Sequence, residues 1–163
     1  GATVIGTVGS DEKAALARAH GCDHTIVYTR ENIVERVKAL TDGAGVPVVY
    51  DSVGKDTFIA SLACLQPRGL MVSYGNSSGP VDPFSPGVLA TRGSLFLTRP
   101  TLASYISTRE ELDATAADLF GVVESGAVKI AISQTYPLED AAEAHRALEA
   151  RETTGSTVLT IGG

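Results

Sequence analysis

Lys13 stands one helical turn beyond a strand end that reads Val8-Gly9-Ser10. At the second strand of a dinucleotide site, an acid here would hold the adenosine ribose hydroxyls of NAD. Small neutral residues followed by a cation suit the 2′-phosphate of NADP instead. Lys13 reads equally as an ordinary solvated helix lysine, and Asp11 and Glu12 beside it weaken the local positive potential. Two further strand ends carry usable groups. Asp51-Ser52-Val53 closes one strand, although Asp51 could equally satisfy the backbone amides of the turn that follows. Tyr74-Gly75-Asn76-Ser77 closes the next, where backbone amides and short side chains can approach a nicotinamide. Ligands of open α/β sheets bind at such turns, beyond the carboxyl ends of the strands.

Other constellations are weaker. Gly75-Asn76-Ser77-Ser78-Gly79 fits G-x-S-x-G, and His145 with an upstream Asp would complete a hydrolase order. That chemistry needs a helix opening at the serine, whereas Pro80, Pro83 and Pro86 follow in quick succession. His20, Cys22 and His24 cluster, but Gly21 breaks their helix and no second group has matching spacing, so no metal site is expected. Tyr28 is followed four residues on by Asn32 and Tyr105 by Arg109, so no Tyr-x-x-x-Lys pair exists. No catalytic side chain is assigned.

These positions require a particular scaffold. Thr3–Val8 is mostly β-branched and apolar, as a strand covered on both faces would be, and Ser10 is a good N-cap for a helix rich in alanine. Strands His24–Tyr28, Val46–Asp51, Leu70–Gly75 and Ser94–Thr98 follow, with helices over Asn32–Leu40 and Thr57–Leu65 between them. An irregular loop over Asn76–Gly87 leads to a helical turn near Pro86–Ala90. Alternating strands and helices predict right-handed crossovers and a parallel sheet. The rhythm then changes. A capping box at Thr108–Glu111 opens a long helix with Leu112, Ala116, Leu119, Phe120 and Val123 on one stripe. Ile130–Ser133, a helix over Leu138–Ala150 and a closing strand Thr157–Ile161 complete the chain.

The 163 residues carry a net charge of −6 and 44% apolar residues. That acidity argues against nucleic acid or an anionic membrane as partner. No apolar run is long enough to span a bilayer, and the two cysteines, Cys22 and Cys64, form no framework, which points to a reducing cytoplasm.

Tyr50-Asp51-Ser52-Val53-Gly54, Arg68-Gly69-Leu70-Met71-Val72, Gly75-Asn76-Ser77-Ser78-Gly79 and Leu97-Thr98-Arg99-Pro100 together resemble the quinone oxidoreductases. These are the zeta-crystallin-like, zinc-free branch of the medium-chain dehydrogenase/reductase superfamily. The resemblance implies a Rossmann-type doubly wound, three-layer α/β fold and hydride transfer from NADPH to a quinone. It implies cofactor contacts from Gly9, Ser10, Lys13, Tyr28, Ser52, Val53, Tyr74, Gly75, Asn76, Ser77 and Arg151, and a dimer edge near Thr98–Leu102. Residues 1–100 would form a partial NADP-binding domain. Residues 101–163 would form an extension that normally completes a catalytic domain.

Aligned on that family, the chain starts at the second strand, without the Gly-rich phosphate turn, and is expected to be a fragment inactive alone that self-associates through exposed apolar surface. The missing central strand would separate Thr3–Val8 from Val46–Asp51. Direct pairing of those two strands, a strand from another chain or further polypeptide could fill the gap. An enoyl or other alkene reductase of the same superfamily, and a non-catalytic dinucleotide-binding or crystallin-like protein, are the alternatives.

Overall fold

In the computed structural model, residues 1–162 are described, and the chain divides into two compact units, Gly1–Leu102 and Ala103–Gly163. The first unit holds β1 (Ile5–Val8), α1 (Asp11–Ala19), β2 (His24–Val27), α2 (Ile33–Leu40), β3 (Val46–Asp51), α3 (Phe58–Cys64), β4 (Leu65–Ser73), α4 (Gly87–Thr91) and β5 (Phe96–Thr98). Strand, helix, strand is the order that parallel pairing demands, and every pair is parallel: β1 with β2, β3 with β4, β4 with β5.

Local chemistry sets the boundaries. Ser10 caps α1 by accepting from the Lys13 backbone N–H at 3.3 Å, and Asn32 caps α2 by accepting from Glu35 N–H at 3.2 Å. Gly21 ends the α1 segment at φ +92°, a conformation that costs glycine little. Strand β4 begins at Leu65, five residues before the expected Leu70. Val46 faces Leu65 and Val48 faces Leu70, so the intervening Gln66–Gly69 segment bulges out of register. Arg68 takes φ +61° to allow it, and its N–H donates to Gly93 O at 2.8 Å.

Direct pairing of β1 with β3 does not occur. In the first unit the sheets are β1-β2 and β3-β4-β5. They share a core instead. Ile26 of β2, Val37 of α2 and Cys64 of α3 are buried together, with Ile5, Val46 and Val49 against them. Helices α2 and α3 pack on each other across this core. A second cluster, Phe58, Leu62, Leu65, Met71 and Leu95, lies under β4. The expectation that Thr3–Val8 is covered on both faces also needs correction: none of it is fully buried, and Val4 keeps 47% exposure. Val49 packs on the core, while Val48 and Tyr50 keep 37% and 73% exposure, because cover reaches only one side of β3.

The second unit holds α5 (Arg109–Glu124), β6 (Ile132–Pro137), α6 (Ala141–Glu149) and β7 (Ser156–Thr160), with β6 and β7 parallel. Strand β6 lies toward the C-terminal side of the expected Ile130–Ser133. The capping box forms in full. Thr108 accepts from Glu111 N–H at 3.2 Å, and the Glu111 carboxylate accepts from Thr108 N–H at 3.0 Å. A hydrogen bond from the Ser107 hydroxyl, with that from Thr108, holds the Glu111 carboxyl below its ordinary range. None of the α5 stripe is buried: Leu112, Leu119 and Phe120 stay 41%, 55% and 62% exposed.

Candidate functional site

The first group of predicted residues meets at the carboxyl ends of β1 and β2. Tyr28 N–H donates to Val8 O at 3.0 Å, which continues the ladder one residue past β2 and sets the tyrosine beside the Gly9 turn. Its ring then lies over Gly9, where a Cβ would sit 2.9 Å from the hydroxyl oxygen. A side chain at this position would have to displace the Tyr28 hydroxyl end. Ser10 is occupied as the α1 cap, and Lys13 is half-buried on the first turn of that helix. A feature that the sequence reading did not anticipate completes this end. Arg30 grips Asp11 with both guanidinium nitrogens, at 2.5 and 2.6 Å. The bond to Arg30 holds the Asp11 carboxyl below its ordinary range. Asp11 was expected to oppose binding of an anion beside Lys13, and its charge is matched by this pair. Arg30 lies two residues beyond Tyr28 at the same sheet end, which is the signal that could have revealed it.

The second group meets at the carboxyl ends of β3 and β4. Here two loops are laced together. Tyr74 N–H donates to Asp51 O at 2.9 Å, Ser77 N–H to Ser52 O at 3.2 Å, Ser78 N–H to Val53 O at 2.9 Å, and Lys55 N–H to Gly79 O at 3.1 Å. Ser78 adds its side chain, donating to Val53 O at 2.8 Å and accepting from Asp56 N–H at 3.1 Å. Glycines permit the approach. A Cβ on Gly75 would fall 2.2 Å from Ser52 O, and one on Gly54, at φ +91°, would fall 2.7 Å from Gly79 O. Ser52, Tyr74, Asn76 and Ser77 are exposed on the resulting surface, and Val53 and Gly75 are half-buried.

Asp51 itself points inward, at 4% exposure. One carboxylate oxygen accepts from Val53 N–H at 2.8 Å and Gly54 N–H at 3.0 Å; the other accepts from Ser61 Oγ at 2.7 Å. Thr57 Oγ1 lies 2.9 and 2.7 Å from the two. Burial by itself would raise this carboxyl, but the bonds from Gly54, Ser61, Thr57 and Val53 outweigh it and hold the group ionised below the ordinary range. Of the two roles left open for Asp51, the structure shows the second: it satisfies the amides of its own turn.

Beside Asn76 lies a cavity of about 280 Å³, with Phe58, Val81 and Phe84 on its apolar walls and Ser73 and Arg99 on its polar side. The Phe58 and Phe84 rings pack with centroids 4.9 Å apart, and Arg99 Nη1 donates to Ser73 O at 2.9 Å.

The profile of the zinc-binding dehydrogenases matches residues 20–159. The chain belongs to that family. The quinone oxidoreductase of Pseudomonas aeruginosa is 57% identical over 159 residues, 98% of this chain and 49% of the relative. The 2-haloacrylate reductase of a Burkholderia species is 49% identical over 160 residues, again 98% of this chain and 48% of the relative. The crystal structure of Escherichia coli quinone oxidoreductase complexed with NADPH matches with a TM-score of 0.94 at 50% identity, covering 98% of this chain and 50% of that one. The fold is therefore the Rossmann-type α/β fold of those dehydrogenases, and the chain spans about half the length of the curated relatives it matches.

The family name refers to zinc, yet among the described residues no group of three or more His, Cys, Asp or Glu side chains could hold a metal ion. Cys22 instead donates to His24 O, its sulfur 3.0 Å away. No helix of the described residues is long and apolar enough to cross a membrane. Ser77 is followed by irregular chain until α4 begins at Gly87, so a hydrolase elbow does not form at this member's G-x-S-x-G. Arg151 lies in the second unit, exposed just past α6 at φ +61°.

Proposed function

We propose that this chain is the dinucleotide-binding half of an NADPH-dependent quinone reductase. The observation that carries the reading is the neutral end of β1, where Gly9, Ser10, Lys13 and Tyr28 gather and the nearby Asp11 is matched by Arg30. A 2′-phosphate suits that end, and an unphosphorylated ribose has no acid there to hold it. The glycine-lined approach at Gly75 and Gly54 supports the other end of the ligand, since it leaves the short side chains of Ser52, Asn76 and Ser77 exposed where a flat ring could lie. The chemistry a nicotinamide dinucleotide supplies when bound is hydride transfer to an acceptor. The residues of this chain bind and orient: Lys13 and Tyr28 toward the phosphorylated ribose, and Ser52, Val53, Tyr74, Gly75, Asn76 and Ser77 toward the nicotinamide half. Arg151, in the second unit, joins the cofactor-contacting set only through the family resemblance. A quinone accepts hydride directly and takes its proton from solvent, so the protein contributes positioning more than acid–base chemistry.

In this reading residues 1–100 are the cofactor part and 101–163 an extension that joins a catalytic domain. The whole enzyme is cytoplasmic and a homodimer. The Burkholderia relative's name favours a second acceptor class, an activated alkene. Assays of the full-length protein with NADPH against a quinone series and a 2-substituted acrylate series decide between them. Turnover with neither acceptor would overturn both.

A further inference from the structure

We propose that Asp51 is a positioning residue for cofactor binding: its buried carboxylate fixes the 52–55 turn, and through the cross-loop hydrogen bonds it also fixes the Gly75–Gly79 loop that it never touches. The inference rests on the cofactor reading above and deepens it by naming what keeps the nicotinamide end of the site in shape.

The argument follows the bonds. The carboxylate holds Val53 N–H and Gly54 N–H from below, and the hydroxyls of Thr57 and Ser61 lock it to the start and body of α3. Thr57 is the N-cap position of α3 but makes no side-chain cap bond, because its hydroxyl is turned to Asp51 instead. With the Val53 and Gly54 N–H groups held below, the carbonyls of the same two peptide planes, Ser52 O and Val53 O, face the other loop, where Ser77 N–H donates to Ser52 O and Ser78 N–H and Oγ donate to Val53 O. Release of the carboxylate would free the Val53 and Gly54 amides to turn. The acceptors for Ser77 and Ser78 would then move, and with them the Asn76–Ser77 surface. A buried acceptor with several donors is costly to remove, because each donor loses its partner together.

The test uses Asp51→Ala and Asp51→Asn in the full-length protein. Asparagine keeps one oxygen for the two amides and offers an NH2 to hydroxyls that can rotate to accept, so it should rescue. For Asp51→Ala, KM for NADPH should rise about tenfold or more, with kcat changed much less. Hydrogen exchange at Ser77 and Ser78, measured without ligand, should speed up by a similar factor. Both should return to within about threefold of wild type in Asp51→Asn. Unchanged exchange at Ser77 and Ser78 in folded Asp51→Ala would overturn the proposal. Should the alanine variant fail to fold, the double variant Thr57→Val/Ser61→Ala keeps the carboxylate and removes its hydroxyl donors. A smaller change of the same sign at Ser77 and Ser78 supports the role, and none overturns it. A wild-type protein that ignores NADPH while its exchange follows Asp51 would uphold the coupling of the loops and overturn the cofactor reading alone.

Discussion

Lys13 and Asp51 are both charged residues at strand ends, and only their surroundings separate their roles. Lys13 sits on the first turn of α1, just after the small neutral Gly9-Ser10 turn, with Asp11 matched by Arg30. Lys13→Ala in the full-length protein should raise KM for NADPH by about tenfold or more, as loss of a charge-assisted contact to phosphate would, and leave KM for NADH nearly unchanged. Equal effects on the two coenzymes would remove the assignment. Asp51 is buried and fully engaged, so its consequence is for stability. Its folded-state pKa lies below the ordinary 3.8. The folded state therefore binds its proton more weakly than the unfolded state does. Its stabilisation is complete above about pH 5 and is lost as the pH falls through the folded value. Urea melts between pH 6 and 3 should show a steeper loss for wild type than for Asp51→Asn, and identical slopes would contradict the linkage. The Lys13 and Tyr28 cluster was legible in the sequence, because a strand end and a helix start fix where such residues stand. The Asp11–Arg30 pair was missed, although the place of Arg30 two residues past Tyr28 puts it at the same sheet end.

At the scale of elements, caps and turns read well and strand limits less so. Ser10, Asn32 and the Thr108–Glu111 box each cap as their residue types require. Thr108→Ala should cost about 1 kcal/mol in a thermal melt. The early start of β4 was hidden because Pro67-Arg68-Gly69 reads as a turn, whereas the chain keeps pairing through a bulge. Exposure of Tyr50 and Val48 was hidden too, since apolar composition records what a strand could bury and not which face is covered. Glycines divide by what surrounds them. Gly75→Ala would drive a Cβ into the Ser52 carbonyl and should destabilise by about 1–3 kcal/mol. Gly121→Ala, inside α5 with nothing within 4 Å, should stabilise by up to about 1 kcal/mol. Calorimetric melts that reversed this order would refute the packing argument.

For the molecule as a whole, large apolar side chains remain in water: Tyr50, Phe96, Phe120 and Ile161 are 73%, 61%, 62% and 84% exposed. Of these, Tyr50 and Phe96 share one face of β3-β4-β5 with Val48, and a continuous apolar face of that kind favours association. The 163-residue chain alone should therefore sediment above monomer mass, increasingly with concentration. A strict monomer at every concentration would contradict the expectation. The parallel architecture was legible from the alternation of strands and helices. The break between β1-β2 and β3-β4-β5 was legible through the family resemblance, which puts the missing central strand between Thr3–Val8 and Val46–Asp51. The laced loops carry one more implication. Gly54 has no room for a side chain because of Gly79, and Gly75 has none because of Ser52, so each loop is shaped to the other's backbone. Descent should have treated them as a single inherited cassette. A chimaera that imports residues 51–56 from a distant relative without 73–79 should misfit, while one that imports both should be tolerated.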